Sequence, residues 1–121
     1  MQKLKLVAGL LGLTGVGLGA FGAHALKDTL AARQMTSAWD TAVLYQLVHC
    51  VAIYATSCSA QPATKAAWAW TLGLLLFSGS LFAMALGGPA WLGPITPLGG
   101  LALLAGWGLV IKESVTRSPA P

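Results

Sequence analysis

Apolar residues run along this chain in long stretches, and polar residues gather at a few places between them. One apolar run extends from Leu6 to about Leu26. Others extend over about Ala38–Ala60, Ala66–Leu86 and Ile95–Ile111, the first of these three carrying Asp40, Gln46 and His49 within it. A helix needs about 20 such residues to cross a bilayer. The pattern therefore predicts four transmembrane helices, over about 6–26, 38–60, 66–86 and 95–111.

The connections carry their own signals. Leu26, Leu30 and Ala31 share one helical face while Lys27, Asp28 and Gln34 lie elsewhere, so a short interfacial helix over about 27–35, or an extension of the first span, is expected. Ser37-x-x-Asp40 reads as a capping box opening the second span. Gln61–Lys65 is a tight turn, and Gly87-Gly88-Pro89 stops the third span. Pro94 and Pro97 fall at the first turn of the fourth span, where a missing N–H costs little. Lys112–Pro121 reads as a short, frayed polar tail. The basic start, the apolar run and Ala23-x-Ala25 imitate a secretory signal. The run is long for a signal core and its glycines are patterned, so it is expected to stay as a span.

Composition agrees with a membrane setting. Of 121 residues, 56% are apolar and 8% charged, where an ordinary globular domain is about a quarter charged. Disorder, coiled coil and most soluble domains are excluded, and the length leaves room for one bundle and no soluble domain. The net charge of +4 comes from basic residues beside the apolar runs, not among aromatics, so no nucleic-acid partner is expected. Lys3, Lys5, Lys65, Lys112 and Arg117 fall on one side of a four-span arrangement, and Lys27 and Arg33 on the other. That bias places both termini in the cytoplasm. Trp39, Trp68, Trp70, Trp91 and Trp107 fall near predicted span ends, as an aromatic belt requires. Cys50 and Cys58 are eight residues apart, about 12 Å along a helix. They are too far apart to pair and read as packing residues.

The helix faces say more. Ala8, Gly12, Gly15, Gly19 and Gly22 form one continuous stripe on the first span. Glycine weakens a helix, and in lipid the compensating gain is close approach of another backbone. Gly79, Ala83 and Gly87 repeat the idea on the third span, and Gly99, Ala102 and Gly106 on the fourth. On the second span Ala38, Ala42, Tyr45, His49, Ala52 and Thr56 share a stripe, which should point Tyr45 and His49 into the bundle. His49 lies about 15 Å beyond Trp39 by helical rise, and an ionisable group at that depth is a candidate functional site. A neutral imidazole bonded to a backbone carbonyl, to Tyr45 or to Gln46 is the alternative. His24 sits near Lys27, Asp28 and Asp40 at the outer end, suited to snorkelling or capping. A metal shared by His24 and His49 is not expected, because their depths differ too much.

No nucleophile, base and orienter stand together. Ser78 and Ser80 are expected to bond back to their own helix. The match Gly17-x-Gly19-x-x-Gly22 lies inside a membrane helix with no preceding strand, so it does not read as a dinucleotide site. No catalytic residue, metal ligand or cofactor is expected, and the chain does not read as an enzyme.

Several segments together resemble a known family. They are Gly19-Ala20-Phe21-Gly22-Ala23-His24-Ala25-Leu26, Trp39-x-Thr41-Ala42-x-x-Tyr45-Gln46-x-x-His49, Leu76-Phe77-Ser78-Gly79-Ser80-Leu81-Phe82, Gly93-Pro94-Ile95-Thr96-Pro97-Leu98-Gly99-Gly100 and Gly106-Trp107. In this order, over nearly the whole chain, they are similar to the YgdD / transmembrane protein 256 family of small integral membrane proteins. The resemblance implies a multi-pass protein of the bacterial inner membrane and no established activity. It also marks His24, Trp39, Tyr45, Gln46, His49 and Thr96 as part of the family pattern.

The expected fold is an all-α integral membrane bundle of four transmembrane helices. The expected role is structural or accessory: packing in the bilayer with itself, as a homo-oligomer, or with a larger membrane complex. The alternatives are an oligomeric carrier or channel for a proton, small ion or small apolar molecule, and a membrane redox or ligand-binding subunit.

Overall fold

A computed structural model describes residues 2–116. Five α-helices and one 3₁₀ turn follow one another: α1 Gln2–Ala23, α2 Lys27–Ala32, α3 Thr36–Ser57, α4 Thr64–Ala85, the turn Ala90–Leu92, and α5 Ile95–Thr116. No strand occurs among the described residues. Three segments, Gln2–Ala23, Thr64–Ala85 and Ala90–Thr116, are long and apolar enough to cross a membrane. α3 has the same 22 residues, but Asp40, Gln46 and His49 dilute its apolar character.

α1 starts at Gln2, earlier than the apolar run, and ends at Ala23. Lysine is a good helix former, so Lys3 and Lys5 join the helix while Leu4 between them is buried. α5 likewise runs on to Thr116, so Lys112–Thr116 is helical where a frayed tail was expected. No glycine or proline interrupts that stretch. Residues 117–121, with Arg117 of the charge bias, and Met1 lie outside the described residues.

The long helices pack in sequence: α1 against α3, α3 against α4, α4 against α5. Short connections make these neighbours antiparallel. One apolar cluster joins Leu4 and Ala8 to Ile53, Ala66, Trp70 and Leu103. A second joins Leu30, Trp39 and Ala85, with Phe82 and Met35 against it.

The glycine stripe of α1 lies on α3. Side chains built on Gly12, Gly15, Gly19 and Gly22 would meet Cys50, Leu47, Val43 and Trp39 in turn. On α5, Gly99 lies against the α4 backbone at Phe77 and Gly73, and Gly106 against the Trp70 indole. Gly73, which the stripe reading passed over, receives Leu103. Two expected stripe members behave otherwise. Gly79 faces open space. Gly87, at φ 97°, is a helix cap: the N–H of Gly88 donates to the Ala83 carbonyl at 2.8 Å and that of Gly87 to Met84 at 3.0 Å. This is a Schellman end, which needs a left-handed residue at Gly87. Ala83 thus serves through its carbonyl. The Arg33 guanidinium lies over Gly87, a cation at the negative end of the α4 dipole.

The capping box does not form. α2 ends in the same way, with Gln34 at φ 57° and Met35 N–H donating to the Leu30 carbonyl at 2.9 Å. The Met35 carbonyl then accepts from Trp39 N–H at 2.9 Å, so α3 opens at Thr36 with no side-chain cap. Ser37 and Asp40 are already inside the first turns.

Candidate functional site

α3 carries its polar groups on two sides, and each side meets a different neighbour. Toward α1, the Trp39 indole N–H donates to the Leu18 carbonyl at 2.8 Å. Two turns further on, the Gln46 amide donates to the Leu11 carbonyl at 2.9 Å and to the Thr14 hydroxyl at 2.8 Å. The Thr14 hydroxyl in turn donates to the Leu10 carbonyl at 2.8 Å. Gln46 therefore faces α1 and makes no bond to His49. Interhelical bonds of this kind in membranes average about 0.6 kcal/mol, with a maximum near 1.7. Gln46→Leu is expected to lower stability by about 1 kcal/mol, readable as a shifted unfolding midpoint in a detergent titration.

Toward α4, the buried Ser78 hydroxyl donates across the seam to the Ala42 carbonyl at 2.8 Å, instead of bonding back to its own helix. Ser80 does bond back, to the Phe77 carbonyl at 3.0 Å. With that proton used, Ser80 accepts from the Thr96 hydroxyl, which ties the start of α5 to α4.

His49 stands where α3, α4 and α5 meet. It is 5% exposed. Its Nδ1 lies 2.8 Å from the Tyr45 carbonyl, and the Trp107 indole N–H donates to its Nε2 at 3.0 Å. A carbonyl only accepts and an indole N–H only donates. The two bonds together assign neutral His49 with its proton on Nδ1. Three aromatic rings surround it: Tyr45 stacked at 6.0 Å, Trp107 edge-on at 5.8 Å and Trp70 edge-on at 6.2 Å. Trp70 and Trp107 touch at 4.6 Å between centroids. The Trp70 indole nitrogen is buried without a partner, its edge lodged against Gly106.

Tyr45 does not point inward as the stripe suggested. It is 41% exposed, covering His49 from outside and leaning on Phe77 at 4.8 Å between centroids. Beside it an open groove of about 500 Å³ runs between α3 and α5, walled by Tyr45, His49, Phe77, Leu104 and Trp107. The aromatic belt is also corrected: Trp39 is 0% and Trp70 2% exposed, both in the core because a glycine faces each. Trp68 and Trp91 are exposed.

His24, Asp28 and Asp40 are exposed, and among the described residues no three His, Cys, Asp or Glu side chains come together as a metal-holding group. Cys50 is buried and Cys58 exposed, both as free thiols. Sequence reasoning missed Trp107, Trp70, Thr14 and Ser78 as partners in these seams. The one available signal was Gly106-Trp107, where a small residue beside a large one makes room for another ring.

A family model described as "Protein of unknown function (DUF423)" matches residues 18–100. The chain is 40% identical over 115 residues to the UPF0382 membrane protein SH2409 of Staphylococcus haemolyticus, covering 91% of this chain and 93% of that one. It is 38% identical over 118 residues to the UPF0382 inner membrane protein YgdD of Escherichia coli K12, covering 93% and 88%. It is 32% identical over 121 residues to the UPF0382 membrane protein YwdK of Bacillus subtilis, covering 95% and 98%. No solved structure matches.

Proposed function

We propose that this chain, which belongs to the DUF423 family of membrane proteins, is a four-span packing module that assembles in the bilayer with copies of itself or with a larger membrane complex. It is a multi-pass protein of the cytoplasmic membrane, with three apolar helices long enough to cross and relatives named as inner membrane proteins. α3 is the fourth span. Its 22 residues rise about 33 Å, and it lies between α1 and α4. Both termini face the cytoplasm, in keeping with the lysine and arginine bias.

The observation that carries this reading is how the polar groups of the spans are used. Gln46 is bound to α1, Ser78 to α3, Thr96 to α4, and both ring nitrogens of His49 are engaged. Such bonding holds helices together and leaves no donor or acceptor of His49 free for a passing ion. The glycines divide in a way that fits assembly. Gly12, Gly15, Gly19 and Gly22 on α1 and Gly99 and Gly106 on α5 are occupied by neighbouring helices, while Gly9, Gly17, Gly79 and Gly108 have open space where a side chain would stand. Small residues facing lipid let another helix approach closely.

A native mass spectrum of the protein, solubilised gently from its own membrane, tests the reading. The parent is expected as a self-assembly or bound to larger subunits. Gly17→Leu with Gly79→Leu, both at open positions, is expected to release single chains at unchanged cellular abundance. A parent that is itself a lone chain, or a double variant that assembles like the parent, overturns it.

A further inference from the structure

We propose that the His49–Trp107 hydrogen bond is a proton-operated latch on the seam between α3 and α5, closed while His49 is neutral and opened when its Nε2 is protonated. The geometry is specific. Nε2 is the acceptor for the Trp107 indole N–H at 3.0 Å, and Nδ1 is committed to the Tyr45 carbonyl at 2.8 Å. A second proton can enter only at Nε2. It would set two N–H groups against each other at hydrogen-bond distance, and an indole nitrogen has no lone pair with which to accept. The bond must then break, and Trp107 must turn its N–H elsewhere.

The surroundings permit both states. α3 and α5 each pack chiefly on α4, so the latch ties together two helices whose main packing partner is a third. Trp107 is 40% exposed and borders the groove of about 500 Å³, which gives the indole room to swing. The groups that face His49 are few. α3 presents the Tyr45 phenol, α4 presents Trp70 and Phe77, and α5 presents Trp107 and Leu103. The phenol is the one titratable group among them, and none is charged. No carboxylate stands ready to hold an imidazolium, but the face of the stacked Tyr45 ring does so in part, since aromatic rings attract cations. The step is a proton transfer alone: a hydronium ion gives its proton to Nε2 and leaves as water, and one indole hydrogen bond is lost.

The latch goes beyond the packing role and stands or falls separately from it. It is tested on ¹⁵N-labelled full-length protein in lipid nanodiscs, by following the His49 ring nitrogens and the Trp107 indole N–H signal from about pH 8 to about pH 5. The expected result has neutral His49 protonated on Nδ1. On acidification a second proton appears on Nε2, and the Trp107 signal moves with the same midpoint. In His49→Gln, whose side-chain oxygen can accept from Trp107 but does not titrate, the Trp107 signal is expected to stay fixed. The proposal is overturned if neutral His49 carries its proton on Nε2, if His49 stays neutral across the range, or if it is protonated while Trp107 does not move. A His49→Gln protein with the same pH response as the parent overturns it too. Should that variant fail to fold, the parent's two signals still decide.

Discussion

Gly99→Ala is expected to destabilise the protein by about 2 kcal/mol, more than any other single methyl added to the bundle. At Gly99 the added carbon would meet backbone atoms of α4, the Phe77 nitrogen and the Gly73 carbonyl oxygen. Backbone cannot turn aside as a side-chain tip can, so α5 must lift away from α4. Overpacking costs about 1–3 kcal/mol, and this site belongs at the top of that range. Against it stands the better helix propensity of alanine, worth about 1 kcal/mol. The balance is a net loss. Gly79→Ala is the matched control, because its carbon would meet nothing. There the propensity term acts alone, and the variant should be neutral or more stable. Unfolding midpoints in SDS titrations of the two purified variants check both signs. Equal midpoints would mean that α4 and α5 do not approach at Gly99.

Trp39→Ala is expected to cost about 3–5 kcal/mol, the range for deleting a large buried aromatic. Trp39 is fully buried, seated over Gly22, edge-on to Phe82 at 4.7 Å and bonded to the Leu18 carbonyl. It fastens the C-terminal ends of α1 and α4 to the start of α3 at one point. Trp39→Phe keeps most of the ring and loses the N–H, so its cost should fall to about 1 kcal/mol. An alanine variant as stable as the parent would place Trp39 at the lipid surface, as a belt residue, and remove the second apolar cluster from the account.

That same residue marks the limit of what the sequence made legible. The four apolar runs found the four long helices, and the spacing of Gly12, Gly15, Gly19 and Gly22 found the α1 face that meets α3. Each is a local signal, readable along one helix. Trp39 and Trp70 were misread because tryptophan near a span end usually marks the bilayer boundary. What buries them is a glycine on another helix, Gly22 for one and Gly106 for the other, and such complementarity is not local. Tyr45 failed for a related reason. α3 has neighbours on two sides, so the arc of small residues did not name a single inner face. Its polar groups split accordingly: Gln46 turns to α1, His49 to α5, and Tyr45 is left over the seam. The capping box failed because the end of α2 supplies Met35 as the start of α3 before Ser37 is reached.

His49 was found by depth and polarity, but its role depends on Trp107, 58 residues away. Nothing in the spacing of either residue announces the other. The rule that buried polar groups find partners predicted that His49 would be bonded. It did not say to what.

As the fourth span proposed above, α3, the least apolar of the four long helices, is expected to cross the membrane with its polar groups held by its neighbours. Its two ends can be read directly by a thiol reagent that does not cross the bilayer. Cys58 closes α3 and is exposed, while Cys50 is buried; Ser37, exposed in the first turn, is changed to cysteine to report the other end. Added to intact spheroplasts, the reagent is expected to label the Ser37→Cys site and spare Cys58 until the membrane is permeabilised. Labelling of both sites, or of neither, before permeabilisation would mean that α3 does not cross, and the account would fail.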